Sequence, residues 1–321
     1  MHSFTDGFAT GFQPDVSFAI ASYNCVAYLN AAVDSALAQT GVMVEVIIVD
    51  DGSTDGSDQV AAALAKSDPR IRFLRTPQNG GPAAARNMAL RAMRGRWFAV
   101  LDSDDLITPD RTRRLIDVAA NFSADMIADD LVVFGEGLTD VRFLGRSWPE
   151  CAWLRLDRFL ADSAIFGRAP NPGFLKPMIS AALLTRTGIV YDERLRIAED
   201  DDLVVRLLLA DAHYLLLPEP LYRYRKHDAS ISHRLSVDHV NRMAAAGERL
   251  RALLLAKGKA AIPAFRRRDR ALANAVAFTH AIAALKERNL MAALRHVTRQ
   301  PGSLALFAMP IRAKLTRMVG S

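Results

Sequence analysis

Two apolar stretches of the chain end in clusters of acidic side chains whose types and spacing suit them to chemistry. Residues 46–49 are β-branched and lead directly into the segment 50–55, with the sequence Asp-Asp-Gly-Ser-Thr-Asp. A continuous apolar run bounded by turn residues is typical of a buried strand in a parallel sheet, and such sheets bind ligands at the carboxyl ends of their strands. The alternative is a turn that only caps the next helix, since Asp, Ser and Thr are favoured caps.

The same pattern returns at residues 97–101, which lead into Asp-Ser-Asp-Asp at 102–105. Two carboxylates at positions i and i+2 of a loop, Asp102 and Asp104, can reach one hard cation together. Mg²⁺ and Mn²⁺ prefer oxygen ligands of this kind. An acidic helix start is the alternative, but the Thr-Pro pair at 108–109 already supplies a cap and a first helical residue. We therefore favour a divalent-cation site at this strand end.

Three further side chains can contact anions. Arg86 lies just after a Gly-rich loop, in the first turns of a predicted helix, where a helix N-terminus and a guanidinium both favour phosphate. Lys176 is the lone lysine of a rigid loop and can face a phosphate, an acceptor or solvent. His227 can contact a metal or a phosphate, although a single histidine more often does neither. For Arg86 the alternative is an ordinary surface position.

Four consecutive carboxylates at residues 199–202 precede an apolar helical stretch. Acids in a first turn complement the helix dipole, but that effect fades within one turn. Packed acids also repel one another and raise one another's pKa, which suits a proton acceptor. We therefore expect a general base among these four residues.

The elements that must position these residues alternate between strands and helices. This alternation predicts an α/β fold with a doubly wound, mostly parallel sheet flanked by helices. The predicted strands are 16–21, 46–49, 71–74, 97–101, 126–128 and 131–134, and the predicted helices include 29–37 and 57–66. The predicted domains are an N-terminal arm at 1–15, an α/β domain at 16–233 and a helical region at 234–321.

Composition restricts the compartment. The 321-residue chain has two cysteines that match no metal or redox spacing, which indicates a reducing cytoplasm. We find no secretory signal, and polar residues interrupt the uncharged stretch 16–33, so it does not predict a membrane span.

Charge is distributed unevenly along the chain. Residues 251–321 contain 14 Lys and Arg but only two acidic residues, a local net charge of +12, whereas the first 250 residues carry −6. Such a basic region favours an anionic surface, membrane or nucleic acid. Residues 304–319 have the makeup of an interfacial helix, with packing against the body of the protein as the alternative. We expect a membrane surface as the partner, and no nucleic acid.

The acidic motifs and the loop before Arg86 together resemble the family 2 glycosyltransferases, in the order that family shows and over about residues 16–232. The matching segments are 21–24, 49–55, 79–87, 102–105 and 199–200. The resemblance implies the GT-A fold and an inverting transfer of sugar from a nucleotide-diphosphate donor to an acceptor hydroxyl, with Mg²⁺ or Mn²⁺ as cofactor. Many members have Pro where this chain has Ala21.

The same resemblance implies roles for the donor-binding residues. Tyr23 and Asp51 match contacts to the base, and Arg86 matches a base or phosphate contact. The other residues that it assigns to the nucleotide-sugar site are Ala21, Asn24, Asn79, Asp102 and Ser103.

For metal and catalysis, the resemblance makes Asp104 the metal ligand and Asp102 a ribose or metal contact, and we add His227 as a candidate metal ligand. Asp200, in the Glu-Asp pair, matches the general base, although the following acids at 201–202 leave that position open by one or two residues. The cation and Arg86 would stabilise the leaving diphosphate while the base deprotonates the acceptor.

The Gln-x-x-Arg-Trp motif of processive polysaccharide synthases does not follow Asp200, and this favours transfer of a single sugar. Segments 176–177 and 222–227 look like those of bacterial exopolysaccharide transferases of the succinoglycan type. We expect a UDP-sugar donor, most simply UDP-glucose, a saccharide or lipid-linked acceptor, and a peripheral location on the cytoplasmic face of the plasma membrane. The alternatives are an inactive nucleotide-sugar-binding scaffold and a sugar nucleotidyltransferase, although the Gly-rich loop of the latter is not found.

Overall fold

The computed structural model describes residues 13–135, 137–145, 148–167, 169–227, 235–258 and 263–308. Most of the predicted N-terminal arm, residues 1–12, lies outside the described residues. The same holds for residues 309–319 of the predicted interfacial helix.

The strands are β1 (Val16–Ser22), β2 (Val44–Asp50), β3 (Ile71–Arg75), β4 (Trp97–Val100), β5 (Leu106–Ile107), β6 (Met126–Phe134), β7 (Val141–Arg142), β8 (Ala152–Trp153), β9 (Met178–Ser180) and β10 (Tyr214–Arg225). The helices are α1 (Leu29–Leu37), α2 (Ser57–Ser67), α3 (Pro82–Ala92), α4 (Arg111–Phe122), α5 (Leu156–Asp162), α6 (Ala181–Thr187), α7 (Glu199–Leu209), α8 (Val237–Ala256), α9 (Pro263–Lys286) and α10 (Leu290–Arg299). Short 3₁₀ segments lie at Pro172–Phe174 and Pro301–Phe307.

The central sheet has the strand order β3-β2-β1-β4-β9-β6-β10-β5, with β7 paired to β6. Strands β1 to β4 run parallel, β9 runs antiparallel to both of its neighbours, and β10 runs parallel to β6. Every residue of β2 is buried, as a central strand covered on both faces requires. The predicted mostly parallel α/β sheet is confirmed.

The chain proceeds outward from β1 to β3 and then returns to place β4 on the other side of β1. The strand order therefore reverses beside β1. A reversal of this kind opens a crevice at the carboxyl ends of the strands, where α/β sheets bind ligands. The acidic segments 50–55 and 102–105 follow β2 and β4, so both lie at this edge.

Strand β6 is continuous, whereas the sequence predicted two segments separated by acids. Asp129 and Asp130 lie within it and are buried. Arg111 pairs with Asp129 at 2.7 Å, and Arg142 pairs with Asp130 at 3.0 Å. Because arginines elsewhere in the chain neutralise both carboxylates, the strand continues across Asp129 and Asp130, where the local sequence pattern predicts an interruption.

Helix α4 begins at Arg111, two residues later than the Thr-Pro pair predicted. The Thr108 amide donates to the Leu221 carbonyl at 3.0 Å, which keeps Thr108 bound to the sheet. The capping role assigned to residues 108–109 was therefore wrong.

The described residues group into two compact units. The first comprises the described residues up to 152, together with 175–190 and 213–225, and contains the sheet. The second comprises 153–174, 191–212 and the described residues from 226 onward. The predicted domain boundary after residue 233 stays a prediction. In the structure, segments 153–174 and 191–212 belong to the same unit as the C-terminal helices.

Helices α5, α7, α8, α9 and α10 belong to the second unit. Small side chains line the packed side of α9, where Ala281 and Ala284 are buried together with Ala293 of α10. Phe278 of α9 makes an edge contact with Phe307, with ring centroids 4.9 Å apart. Within the described ranges, no helix has the length and apolar character needed to cross a bilayer.

Candidate functional site

Asn24 joins the loops that follow β1 and β2. The Asn24 side-chain oxygen accepts a hydrogen bond from the Thr54 backbone amide at 2.9 Å, and the Asn24 backbone amide donates to the Ser53 hydroxyl at 3.0 Å. Asn24 has a φ of 49°, in the left-handed region that Asn tolerates better than most residues. Beside it, Tyr23 is exposed and Ala21 is half-buried. Asn24 thus holds the loop that presents Tyr23, while the nucleotide contacts predicted for these residues stay predictions.

Asp51 is buried and organises the Gly-rich loop in front of α3. Its carboxylate accepts hydrogen bonds from the Thr76 hydroxyl (2.9 Å) and from the amides of Gly80 (2.8 Å) and Gly81 (2.6 Å). The Asn79 side chain donates to the Asp51 carbonyl at 3.0 Å, which brings these two predicted site residues together. A carboxylate has about four lone-pair sites. The three occupied sites leave one for the predicted contact to a base.

Asp102, at the end of β4, is held between two cations. Arg86 of α3 donates to Oδ1 at 2.8 Å, and the Lys176 ammonium lies 2.9 Å from Oδ2. The side chains of Arg86 and Lys176 are 5% and 10% exposed. Burial by itself raises the pKa of Asp102, but Lys176 and Arg86 outweigh it and bring the pKa down to about 2. Asp102 is therefore ionised at any working pH.

The antiparallel register of β9 explains the position of Lys176. Ala99 pairs with Met178 and Trp97 with Ser180. Continued by two residues, this register places Lys176 opposite Leu101, directly beside Asp102. The sequence singled out Lys176 without distinguishing a site residue from a solvated lysine, because its partner is remote in the chain.

Asp105 belongs to the same acidic segment, although no sequence pattern singled it out. It is buried and accepts hydrogen bonds from the Tyr222 hydroxyl (2.8 Å) and the Arg225 amide (2.6 Å). The Tyr222 hydroxyl in turn accepts from the Asp102 amide at 3.2 Å. Burial, with the nearby charges of Asp102 and Asp104, raises the pKa of Asp105 well above its ordinary value. Segment 102–105 is thereby attached to β10.

Arg225 strengthens this attachment. Its guanidinium donates to the Asp104 carbonyl at 2.7 Å and lies over the rings of Phe134 (4.6 Å) and Tyr28 (5.0 Å). The Tyr-Arg-Tyr-Arg alternation at 222–225 has the two-residue period of a strand, and this period is the sequence signal for these residues. The alternation does not predict which other strand end these side chains contact.

The donor set around Asp104 suits a hard divalent cation. Segment 102–105 offers carboxylate oxygens, the ligand type that Mg²⁺ and Mn²⁺ prefer. Across the residues that the structure describes, no three His, Cys, Asp or Glu side chains gather into a complete metal site. The chain would therefore supply one or two carboxylates, as Mg²⁺ sites that also use substrate phosphates do. His227 is half-buried in the second unit, and its predicted role as a metal ligand stays a prediction.

The acidic cluster of the second unit lies in the first turn of α7, where the four carboxylates differ in their surroundings. Asp201 is buried and pairs with Arg268, although burial still raises its pKa. Asp202 pairs with Arg206 at 2.7 Å. Asp200 is half-buried. Asp201 and Asp202 thus form ion pairs with arginines on helices of the same unit.

The residue before this turn has an unusual backbone. Ala198 is the N-cap of α7, with a φ of 63° and no side-chain cap. Left-handed backbone is costly for a residue with a Cβ, and such strain is concentrated at functional sites. It supports a functional role for the start of α7.

Known proteins match both the sequence and the fold. The family described as "Glycosyl transferase family 2" matches residues 17–174. Succinoglycan biosynthesis protein ExoO of Rhizobium meliloti (strain 1021) is 37% identical over 306 residues, which cover 95% of this chain and 87% of ExoO. Succinoglycan biosynthesis protein ExoU of the same organism is 33% identical over 236 residues, covering 68% of this chain and 65% of ExoU.

Solved structures with this fold include S. aureus TarS (residues 1–349) in complex with UDP-GlcNAc, with a TM-score of 0.61, 18% identity, and coverage of 89% of this chain and 92% of that one. Mannosyltransferase PcManGT from Pyrobaculum calidifontis, in complex with GDP-Man and Mn²⁺, has a TM-score of 0.57, 15% identity, and coverage of 95% and 81%. These two likenesses concern the fold alone, and they confirm the predicted GT-A architecture. The identity to ExoO over nearly its full length establishes that this chain belongs to glycosyltransferase family 2.

Proposed function

We propose that the protein is an inverting, metal-dependent transferase that moves one hexose from a nucleotide-diphosphate sugar to an acceptor hydroxyl during exopolysaccharide synthesis. The observation that carries this proposal is Asp102, held between Arg86 and Lys176 beside Asp104 at the carboxyl edge of the sheet. Cations and carboxylates placed together suit a ligand that brings both a diphosphate and a divalent ion. ExoO and ExoU, whose names assign them to succinoglycan biosynthesis, support the polysaccharide setting.

Each residue has a distinct task in this reaction. Asp104, with Asp102, would hold Mg²⁺ or Mn²⁺, which when bound supplies positive charge to the leaving diphosphate. Arg86 contributes a fixed guanidinium that binds phosphate oxygens. Asp200 accepts the proton of the acceptor hydroxyl, which makes that oxygen the nucleophile. PcManGT, solved with GDP-Man and Mn²⁺, supports a divalent ion in this fold.

We favour UDP-glucose as the donor. Uracil is smaller than guanine and presents one imide N–H, which the remaining lone-pair site of Asp51 can accept, while Tyr23 covers the ring face. TarS, solved with UDP-GlcNAc, supports a uridine nucleotide, and PcManGT makes GDP-mannose the serious competitor. A site built to pair a polar group rejects analogues that lack it. Guanine also presents an imide N–H, so the smaller size of uracil must exclude GDP-mannose.

The test is product analysis with a panel of UDP-, GDP- and dTDP-sugars in Mn²⁺, together with calorimetry of the corresponding nucleoside diphosphates. We expect release of nucleoside diphosphate, most from UDP-glucose, and tightest binding of UDP. Binding without turnover of any donor would favour the inactive scaffold, and pyrophosphate release would favour a nucleotidyltransferase. Tighter binding of GDP would overturn the choice of donor alone.

The acceptor is proposed to be lipid-linked, at the cytoplasmic face of the plasma membrane. The support is an exposed apolar cluster at the end of α9 and the start of α10, formed by Leu285, Leu290, Met291 and Leu294. Lys286, Arg288 and Arg295 are exposed in the same stretch of chain, together with the acidic Glu287. Apolar side chains beside basic ones are the composition that binds anionic bilayers.

A further inference from the structure

Lys176 occupies a position that creates a conflict of charge in the candidate site. Its ammonium lies 2.9 Å from one carboxylate oxygen of Asp102, and Arg86 donates to the other oxygen at 2.8 Å. Asp102 is thus already compensated by two protein cations. A divalent ion that approaches this carboxylate meets two positive charges within a few ångströms, and burial makes that repulsion stronger than it would be in water.

A nucleoside diphosphate reverses the balance. Its phosphates bring negative charge that attracts both the divalent ion and the ammonium. The ion and the diphosphate should therefore enter together more readily than either enters alone, provided that one of the two protein cations can change partner.

Lys176 is the cation that can move. Its ammonium is a compact charge on a flexible stem, whereas the Arg86 guanidinium is rigid and planar. The Lys176 backbone is fixed, because its carbonyl accepts a hydrogen bond at 2.8 Å from Arg111, which is itself bound in the buried pair with Asp129. The side chain can therefore swing from Asp102 while its anchor stays in place.

We propose that Lys176 couples divalent-cation binding to diphosphate binding: it neutralises Asp102 in the free enzyme and transfers to the diphosphate when nucleotide and cation are bound. This inference rests on the proposed function, since it requires a nucleoside diphosphate at this site. The proposal assigns a role in ligand binding to Lys176, a residue outside the acidic motifs. It also gives a reason for a buried lysine beside segment 102–105.

The coupling is measured by Mn²⁺ titration, followed by electron paramagnetic resonance, with and without saturating UDP, and by calorimetry of UDP with and without Mn²⁺. In the wild type we expect each ligand to tighten the other by the same factor, as linkage requires. In Lys176→Met, Mn²⁺ alone should bind more tightly and UDP with Mn²⁺ more weakly. The coupling factor should then fall by at least about fivefold, the lower end of typical values.

Arg142→Met is the matched control. It removes a cation from the buried carboxylate of Asp130 elsewhere in the same unit and changes the net charge equally. It should leave the coupling factor unchanged. Lys176→Arg, which restores the charge, should regain part of the coupling and serves as the second variant if Lys176→Met does not fold.

The opposite signs of the two changes separate coupling from simple damage. If Lys176→Met weakens Mn²⁺ and UDP binding alike, or keeps the wild-type coupling factor, the inference is wrong while the proposed function stands. If the wild type binds neither UDP nor GDP in the presence of Mn²⁺, the proposed function fails as well.

Discussion

At the scale of single residues, the surroundings of Asp201 and Asp202 bear on the choice of the general base. Asp201 is buried against Arg268, and Asp202 pairs with Arg206. A general base must reach the acceptor hydroxyl, so a carboxylate committed to a buried ion pair is poorly placed for the task. The proposal of Asp200 as the base rests on the family motif, whose Glu-Asp pair matches residues 199–200.

We predict that Asp200→Asn lowers kcat by ~10²–10⁴, the usual contribution of a general base, and changes donor affinity only a few fold. The change is isosteric, so it removes proton acceptance and little else. Single-turnover transfer and calorimetry with the donor nucleotide give the two quantities. Asp201→Asn and Asp202→Asn are the controls, and near-wild-type transfer by Asp200→Asn with an inactive neighbour would move the base to that neighbour.

Asp104 carries the prediction of metal dependence. Asp104→Ala should abolish activity at ordinary Mn²⁺ concentrations, because it removes a ligand whose charge is needed beside a diphosphate. Asp117→Ala, at an exposed carboxylate on α4, is the control for loss of an acidic side chain and should behave as the wild type. EDTA should stop wild-type transfer and Mn²⁺ should restore it. Full turnover in EDTA contradicts the prediction.

At the scale of elements, the local sequence pattern predicted correctly several strands whose buried residues are mostly apolar. The strand at 46–49 was visible because all of β2 is buried and apolar in its core. Strand β6 was divided in error because Asp129 and Asp130 are neutralised by Arg111 and Arg142, which lie 18 and 12 residues away. Long-range pairs of this kind leave no periodic signal.

The candidate site shows the same limit. The acidic segments at 50–55 and 102–105 could be placed at strand ends from sequence, but the partners that hold them could not. Lys176 and Tyr222 reach Asp102 and Asp105 only through the register of the sheet. Sequence therefore indicates which residues bear the chemistry, while pairing in the fold determines which residues position them.

Asp192 connects two elements of the second unit. It lies before α7 and accepts a hydrogen bond at 2.7 Å from Arg249 of α8, and it also binds Arg194. Burial raises its pKa, but these hydrogen bonds outweigh burial and bring the pKa to about 2. Because this folded value lies below the unfolded one of about 3.9, the stabilisation is complete above that value and is lost as the pH falls towards 2.

We predict that Asp192→Asn lowers the free energy of unfolding by about 1–2 kcal/mol at pH 7, after allowance for the partly exposed arginines. Urea unfolding at pH 7, 5 and 3 checks the sign: the difference from wild type should be equal at pH 7 and 5 and smaller at pH 3. Asp238→Asn, which breaks an exposed pair with Arg242, should have the smaller effect at pH 7. A difference that grows towards pH 3 would contradict the assignment.

At the scale of the whole molecule, the basic C-terminal region is less available than its composition suggests. Arg268 pairs with Asp201, and Arg251 pairs with Asp269 at 2.6 Å, so part of the positive charge is used inside the second unit. Among the described residues, the surface that we propose for a bilayer is the apolar cluster of α9 and α10, with exposed cations near it in sequence. Within it, Leu290 is 70% and Met291 75% exposed.

The final prediction concerns this cluster. The double variant Leu290→Asp, Met291→Asp should abolish co-sedimentation with vesicles of phosphatidylserine and phosphatidylcholine, because it places two charges where apolar side chains would enter the bilayer. Acids in a first turn complement the helix dipole, so α10 itself should persist. Wild-type binding should weaken with salt, since each Lys or Arg near an anionic surface contributes about 1 kcal/mol.

Val141→Asp, at an exposed apolar residue of the first unit, is the control and should bind as the wild type does. Transfer to a water-soluble acceptor should be equal in all three proteins, which separates membrane binding from catalysis. Vesicle binding that is absent in the wild type or indifferent to salt would contradict the prediction and favour the alternative of helices that pack on the body of the protein.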